Sequence, residues 1–406
     1  MKIEKPRGTR DFLPQEMEKR RHIENLMRKV AESFGYREIQ TPTFEHLELF
    51  TLKSGEGIVE EIYAFRDKGG RDLALRPELT APVMRMFVNE CSVMPRPLRF
   101  YYFGNCFRYE RPQRGRYREF WQFGVELIGS DKPESDAEVI YLAYRILRGL
   151  GIDFRLHVGH VGLLRKVLEG LDNADSAMRL IDKKDFDGLK VLLDERGKSA
   201  DLFETVVRLS GCSTVEEAKE VYPEFDYSHV EKVSEILTEL GVEFSLDFGI
   251  ARGLDYYTGI VFEVYAEGLG AQKQICGGGS YRLARLFGGE DVPSTGFAIG
   301  FDRVVEVCSA EIPKRPVAVV VSFGDFVRGQ KVAELLRNMG IDAVVDVMGR
   351  NVRKQLSFAN SINADYAVFA GEEFEKGTVR IKDLRTEEQI DVDIGELESF
   401  FENRET

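Results

Sequence analysis

Apolar residues recur at helical spacing near the start of the chain, strand-like runs fill its middle, and a strand-helix alternation closes it. Ile23, Leu26, Met27, Val30 and Phe34 line one face of a helix that Pro14, suited to a first helical position, can open. Residues 36–41 read as a short strand stopped by Pro42, and residues 73–75 as another stopped at Arg76-Pro77, with a helix from Pro82. Strand formers dominate residues 98–128 except at the Pro-Gln-Arg-Gly turn of 112–115, which predicts a long antiparallel hairpin. Helical periodicity with many Lys, Asp and Glu takes over from 161 to 240, the pattern of a helical insertion. Strand patterns return at 260–265 and 295–299, the second passing at Gly300 into a helix carrying Val304, Val305 and Val307.

Beyond Lys314-Arg315-Pro316, predicted strands at 317–322, 343–347 and 365–369 alternate with helices at 326–339 and 352–362, which indicates a small α/β domain with parallel strands. Strands at 378–382 and 389–394 and a short last helix complete it. The fold class expected is α+β, in four parts: 1–160, the insertion 161–240, a return to the first domain over 241–312, and 313–406. A chain of 406 residues is in any case longer than one core usually organises.

Composition removes several functions. The five cysteines form no CxxC pair and the five histidines show no ligand spacing against them, so neither a zinc site nor a disulfide framework is expected. No apolar run is long enough to span a membrane and the first ten residues are charged, which places the expected protein in the cytoplasm. A net charge of −13 argues against coating nucleic acid through the overall field, though not against a local basic groove.

Such a groove is written at residues 107–126. Arg111, Arg114, Arg116 and Arg118 crowd the hairpin turn and repel one another unless an anion compensates; arginine is also the side chain suited to forked phosphate contacts. On the second arm Phe120, Gln122, Gly124, Glu126 and Ile128 alternate away from a core face of Trp121, Phe123, Val125 and Leu127. Gly124 between an amide and a carboxylate is expected to leave a shallow space for a small polar ligand, with Arg108, Cys106, Gly104 and Tyr102 of the first arm on the same side. Charges in a solvated ladder are the bland alternative. Glu78 and Thr80, two residues apart at a strand end, suit an ammonium group, with Thr80 also a candidate helix cap ahead of Pro82. Arg303 follows a strand at a helix start, where anions are favoured. Residues 251–259 set Arg252, Tyr256 and Tyr257 in a glycine-flanked loop, and Gly277-Gly278-Gly279 forms neither a Walker loop nor a dinucleotide fingerprint.

Together these segments resemble class II aminoacyl-tRNA synthetases, and within them the histidine-specific family, over essentially the whole chain. Residues around Pro42 resemble motif 1 of the class, 107–126 motif 2 and 296–303 motif 3; Arg252-Gly253-Leu254-Asp255-Tyr256-Tyr257-Thr258-Gly259 matches the histidine signature, supported by residues 7–14 and 75–80. The resemblance implies an antiparallel catalytic sheet flanked by helices, an anticodon-binding C-terminal domain and a homodimer. It implies activation of L-histidine by ATP to histidyl-adenylate and pyrophosphate, then transfer to the histidine tRNA, with Mg2+ on the ATP phosphates. Arg108 and Arg252 are the implied catalytic pair. Arg116 and Arg303 would take the β- and γ-phosphates, with Glu110 near adenine or magnesium. Glu78, Thr80 and Gln122 would bind the α-amino group, and Glu126 and Tyr257, beside Tyr256, the imidazole. Gln113, Arg114 and Arg116 would meet the acceptor end of the tRNA, where this family reads an extra 5′ guanosine, and Arg350 and Arg353 its anticodon. One segment departs: the family's usual Gly-Gly-Arg-Tyr-Asp loop carries Ser280 in place of Arg and Arg282 in place of Asp, with Tyr281 kept. The rivals are a synthetase-like regulatory subunit of ATP phosphoribosyltransferase, which lacks the C-terminal domain and full signature; a class II synthetase for another amino acid; and a non-catalytic nucleic-acid-binding module.

Overall fold

The computed structural model describes all residues except 1–2, 55, 112–114, 195–199, 252–255, 271–272, 403 and 405–406. The chain divides into two compact units, Met1–Glu311 and Ile312–Thr406.

The first unit is organised by one sheet of strands β1 (Arg37–Glu38), β2 (Leu98–Phe107), β3 (Glu119–Ile128), β4 (Phe154–His160), β5 (Ser245–Leu246), β6 (Tyr257–Ala266), β7 (Gln274–Tyr281) and β8 (Ser294–Gly300). Their order is β1-β2-β3-β8-β7-β6-β4-β5. The six central strands pair antiparallel, and β1 and β5 join the edges in parallel. The predicted hairpin is β2–β3, in register from Leu98 opposite Ile128 to Phe107 opposite Glu119.

Helix α1 (Pro14–Ser33) and helix α4 (Pro133–Gly149) are amphipathic, and their buried Ile23, Met27 and Ala31, and Val139, Ile140, Ala143, Ile146 and Leu147, join the core of this sheet. Between them in sequence, α2 (Leu47–Ser54) and α3 (Thr80–Met86) flank a small sheet of Phe44–His46, Asp72–Leu75 and Ala64–Arg66. Helices from Val161–Val167 to Ser228–Glu239 occupy the insertion, and α5 (Phe301–Val307) follows β8.

Two local expectations change. The strand foreseen over 36–41 is only two residues long, Arg37–Glu38 at the edge of the sheet. The glycine-rich segment read as a loop at 276–282 is instead strand β7, at the sheet's centre. Glycine is required there by close approach: a Cβ on Gly278 would strike the Gly296 carbonyl and come within 2.7 Å of Phe297 Cβ.

In the second unit, β9 (Val317–Val321), α6 (Phe326–Asn338), β10 (Asp342–Val345), α7 (Val352–Ser361) and β11 (Tyr366–Phe369) alternate as expected. Strands β9, β10 and β11 are parallel, and Thr378–Asp383 and Gln389–Asp393 extend the sheet antiparallel. Among the described residues no helix is long and apolar enough to cross a membrane.

Candidate active site

Register places one polar strip on the β2–β3 hairpin. Tyr102 stands opposite Gly124, Gly104 opposite Gln122 and Cys106 opposite Phe120, so these side chains share the face predicted for them. The shallow space expected over Gly124 is, however, occupied. The Tyr102 phenol crosses the glycine, where any Cβ would collide with its hydroxyl, and donates to Glu126 Oε1 at 3.2 Å. From β7, Tyr281 donates to Glu126 Oε2 at 2.5 Å, and the Thr80 hydroxyl is hydrogen-bonded with the same group. Glu126 is 1% exposed. Burial pushes its carboxyl from the ordinary 4.5 up to about 8, against the pull of those hydrogen bonds.

That displacement has a consequence for stability. The folded chain holds the Glu126 proton up to about pH 8 and the unfolded chain only to about 4.5, so the contribution is full below 4.5 and is lost as pH rises through 8. Glu126→Gln, which cannot ionise, is therefore expected to melt progressively higher than the parent as pH rises from about 5 to about 9. A melting difference independent of pH would contradict a buried, proton-holding Glu126.

Around this carboxyl lie the tyrosines. The Tyr256 ring meets Tyr281 edge-on at 5.8 Å between centroids and lies 4.5 Å from Tyr257, which is buried. Gln122 accepts from the Cys106 thiol at 3.4 Å, and burial raises that thiol to about 12, so it is inert at neutral pH. Glu78 approaches from the start of α3. Its carboxylate accepts from the Thr80 and Ala81 backbone N–H groups at 2.6 and 3.1 Å. The helix is thus capped by Glu78 and not by Thr80, which is itself the first helical residue and makes no side-chain cap.

The strip continues into a cluster of guanidinium groups. Arg108 extends the hairpin by donating its backbone N–H to the Arg118 carbonyl; its Nε binds the Pro77 carbonyl at 3.0 Å and its guanidinium lies 5.1 Å from the Phe120 ring. Arg116 is ion-paired with Glu110. Arg303 donates from Nε to the Gly115 carbonyl at 3.0 Å and from Nη1 to the Gln274 carbonyl at 2.7 Å. Burial, then repulsion from Arg108 and Arg116, lowers the Arg303 pKa, and burial, then repulsion from Arg108, lowers that of Arg116. The three cations therefore feel one another, and an anion set among them relieves that repulsion. Arg252, Gln113 and Arg114 lie outside the described residues.

Sequence reasoning missed the support beneath this cluster. Asp302, beside Arg303, accepts from buried Arg20 of α1 at 2.7 Å, from Arg10 at 3.3 Å and from the Trp121 backbone N–H at 2.7 Å. Arg20 is sandwiched among the rings of Phe12, Trp121 and Phe301 at 4.0, 5.0 and 4.8 Å. Arg10 covers Tyr117 at 4.1 Å, and Gly8 accepts from the Arg118 N–H at 2.9 Å, so residues 8–12 strap the hairpin turn. The family-like segment 7–14 was the one available signal.

The two departures at 280 and 282 have partners of their own. Ser280 donates to Asp136 of α4 at 2.8 Å, and Asp136 also binds His229 at 2.9 Å. Side chains alternate along β7, so Ser280 faces α4 while Tyr281 faces Glu126. Arg282 is ion-paired with Asp291 at 3.0 Å.

In the second unit Arg350 is paired with Asp346 at 3.2 Å and covers the Phe358 ring at 4.8 Å, whereas Arg353 and Lys354 are exposed on the first turn of α7, which Asn351 caps. Among the described residues no group of three or more His, Cys, Asp or Glu side chains is arranged to hold a metal.

The family model described as histidyl-tRNA synthetase matches residues 8–304, and that for an anticodon binding domain matches residues 317–404. The chain is 62% identical over 410 residues to a histidine–tRNA ligase of Archaeoglobus fulgidus, covering 99% of this chain and 100% of that one. It is 54% identical to that of Methanosarcina acetivorans, covering 96% of each. Among solved structures, apo histidyl-tRNA synthetase of S. aureus matches with a TM-score of 0.73 at 28% identity, over 98% of this chain and 100% of the other.

Proposed function

This chain belongs to the histidyl-tRNA synthetases, class II enzymes that ligate histidine to its tRNA, and from that premise we propose how its residues divide the work. The reaction activates L-histidine with ATP and transfers it to the 3′ end of the tRNA. In the first step the histidine carboxylate attacks the α-phosphorus and pyrophosphate leaves. In the second a terminal ribose hydroxyl attacks the activated carbonyl and AMP leaves. Neither step needs a protein nucleophile, so the residues position reactants and stabilise charge on phosphate oxygens.

The observation that carries the assignment is the continuity of one strip: a buried, tyrosine-held carboxyl at Glu126, an amide at Gln122, and the Arg108, Arg116 and Arg303 cluster beyond it. Glu126, with Tyr256 and Tyr257, reads the imidazole; Glu78, Thr80 and Gln122 hold the α-amino end. Arg108 and Arg252 are assigned to the α-phosphate, and Arg116 and Arg303 to the β- and γ-phosphates. Glu110, the carboxylate beside Arg116, would be the side chain to meet the adenine or a magnesium ion carried by the ATP phosphates, where the ion would offset phosphate charge. Gln113 and Arg114 face the acceptor end, and exposed Arg353 with Arg350 the anticodon. A homodimer is supported by apolar Phe44, Leu52 and Phe65, all exposed near the motif 1 segment. The expected setting is the cytoplasm.

Pyrophosphate exchange run with each amino acid tests the pocket. Histidine is expected to lead any other by about four orders of magnitude in kcat/KM, because an apolar look-alike leaves Glu126 and its tyrosines unpaired against the ligand. Comparable exchange with a second amino acid would overturn the reading of Glu126.

A further inference from the structure

Lys53 is a charged residue that none of the site assignments uses, yet its side chain is only 3% exposed. It sits in the last turn of α2, whose Leu49 and Phe50 are buried in a small apolar cluster with Ile62, Ala74 and Ala81. A buried ammonium costs several kcal/mol unless it is paired with good geometry. Here Nζ reaches Glu78 Oε1 at 3.0 Å and lies 4.4 Å from the centre of the Tyr256 ring, an ion pair and a cation–π contact made by one nitrogen. The helix that carries it is pinned by its apolar face, so the ammonium is delivered to a fixed point.

We propose that Lys53 is a positioning residue of the amino-acid pocket, holding Glu78 and Tyr256 in one fixed relation. The inference rests on the reading of Glu78 as the partner of the substrate α-ammonium. A carboxylate offers about four acceptor positions, and Lys53 with the N–H groups of Thr80 and Ala81 uses part of that capacity while fixing the plane of the group. The acceptor capacity left over is what an incoming ammonium would use. Tyr256 lies within the signature segment 252–259 and meets Tyr281 edge-on, and Tyr281 in turn donates to Glu126. Lys53 thereby links the two ends of the bound amino acid: the carboxylate that takes its amino group and the tyrosine wall beside the carboxyl that reads its ring.

The test is steady-state pyrophosphate exchange on Lys53→Met, Lys53→Arg and Glu78→Gln. Lys53→Met keeps the unbranched apolar stem, one atom shorter, but removes the charge; the histidine KM is expected to rise about tenfold or more while the ATP KM moves less than about twofold. Lys53→Arg, which keeps the charge and can still cover the ring, is expected to recover most of the loss. An equal rise in both KM values, or a histidine KM within about twofold of the parent in folded Lys53→Met, overturns the inference. Should Lys53→Met fail to fold, a folded Lys53→Arg with histidine KM raised as far as in Glu78→Gln also overturns it. Glu78→Gln separates the two layers: if it leaves the histidine KM unchanged, the reading of Glu78 itself falls, whereas a raised KM there with none in Lys53→Met removes only the role of Lys53.

Discussion

Arg303→Ala is expected to lower kcat/KM for ATP in pyrophosphate exchange by roughly 10²–10³, the usual cost of deleting one preorganised group that faces developing charge. Two carbonyls, of Gly115 in the hairpin turn and Gln274 on β7, fix the guanidinium before any ligand arrives, so no ordering is left to be done on binding. The same substitution removes a cation that is held against Arg108 and Arg116. Thermal stability without ligand is therefore expected to stay level or rise while activity falls, a pairing that a merely structural arginine would not give. Arg303→Lys is expected to recover little, since a point charge on a flexible stem cannot make the same fork. Melting curves alongside exchange rates check this, and an Arg303→Ala enzyme within about threefold of the parent would remove Arg303 from the phosphate site.

Asp302→Ala is expected to cost about 3–5 kcal/mol of stability in the first unit, because it strands the buried Arg20 charge among three aromatic rings. Trp121 is the one tryptophan of the chain, and its backbone N–H binds Asp302, so its fluorescence during urea unfolding reports on this place directly. Pairing the change with Arg20→Met should recover a large part of the loss, since replacing both members by apolar groups avoids the orphaned charge. A loss below about 1 kcal/mol in Asp302→Ala would mean that Arg20 finds water or another acceptor. Activity should suffer as well, because Asp302 ties α1, β3 and the residues 8–12 strap to the helix that carries Arg303.

Much of this site was legible because its chemistry is local. The alternation of residues 119–128 separates Gln122 and Glu126 from the core face, and register then sets Tyr102 and Cys106 beside them. What escaped was contact made across distance or by exception to propensity. Strand β7 is rich in glycine, a residue that weakens strands, and only the crowding of β6 and β8 explains why it is there. Thr80 had the composition of a helix cap, but it is Glu78, two residues earlier, that reaches forward to the N–H groups of Thr80 and Ala81. Lys53 meets Glu78 and Arg20 meets Asp302 far along the chain, and no periodicity encodes such a pair. Helix α4, by contrast, opens on Pro133 and carries a regular apolar face; its absence from the expectations was an unread signal.

The Arg20–Asp302 contact also has a bearing on time. Its partners are separated by 282 residues, which a ribosome takes roughly 15–60 s to traverse at ordinary rates of synthesis. Helix α1 is made early, yet the acceptor that makes burial of Arg20 tolerable is among the last parts of its unit to emerge. The nascent chain thus carries Arg20 with no Asp302 to pair with until α5 has been made.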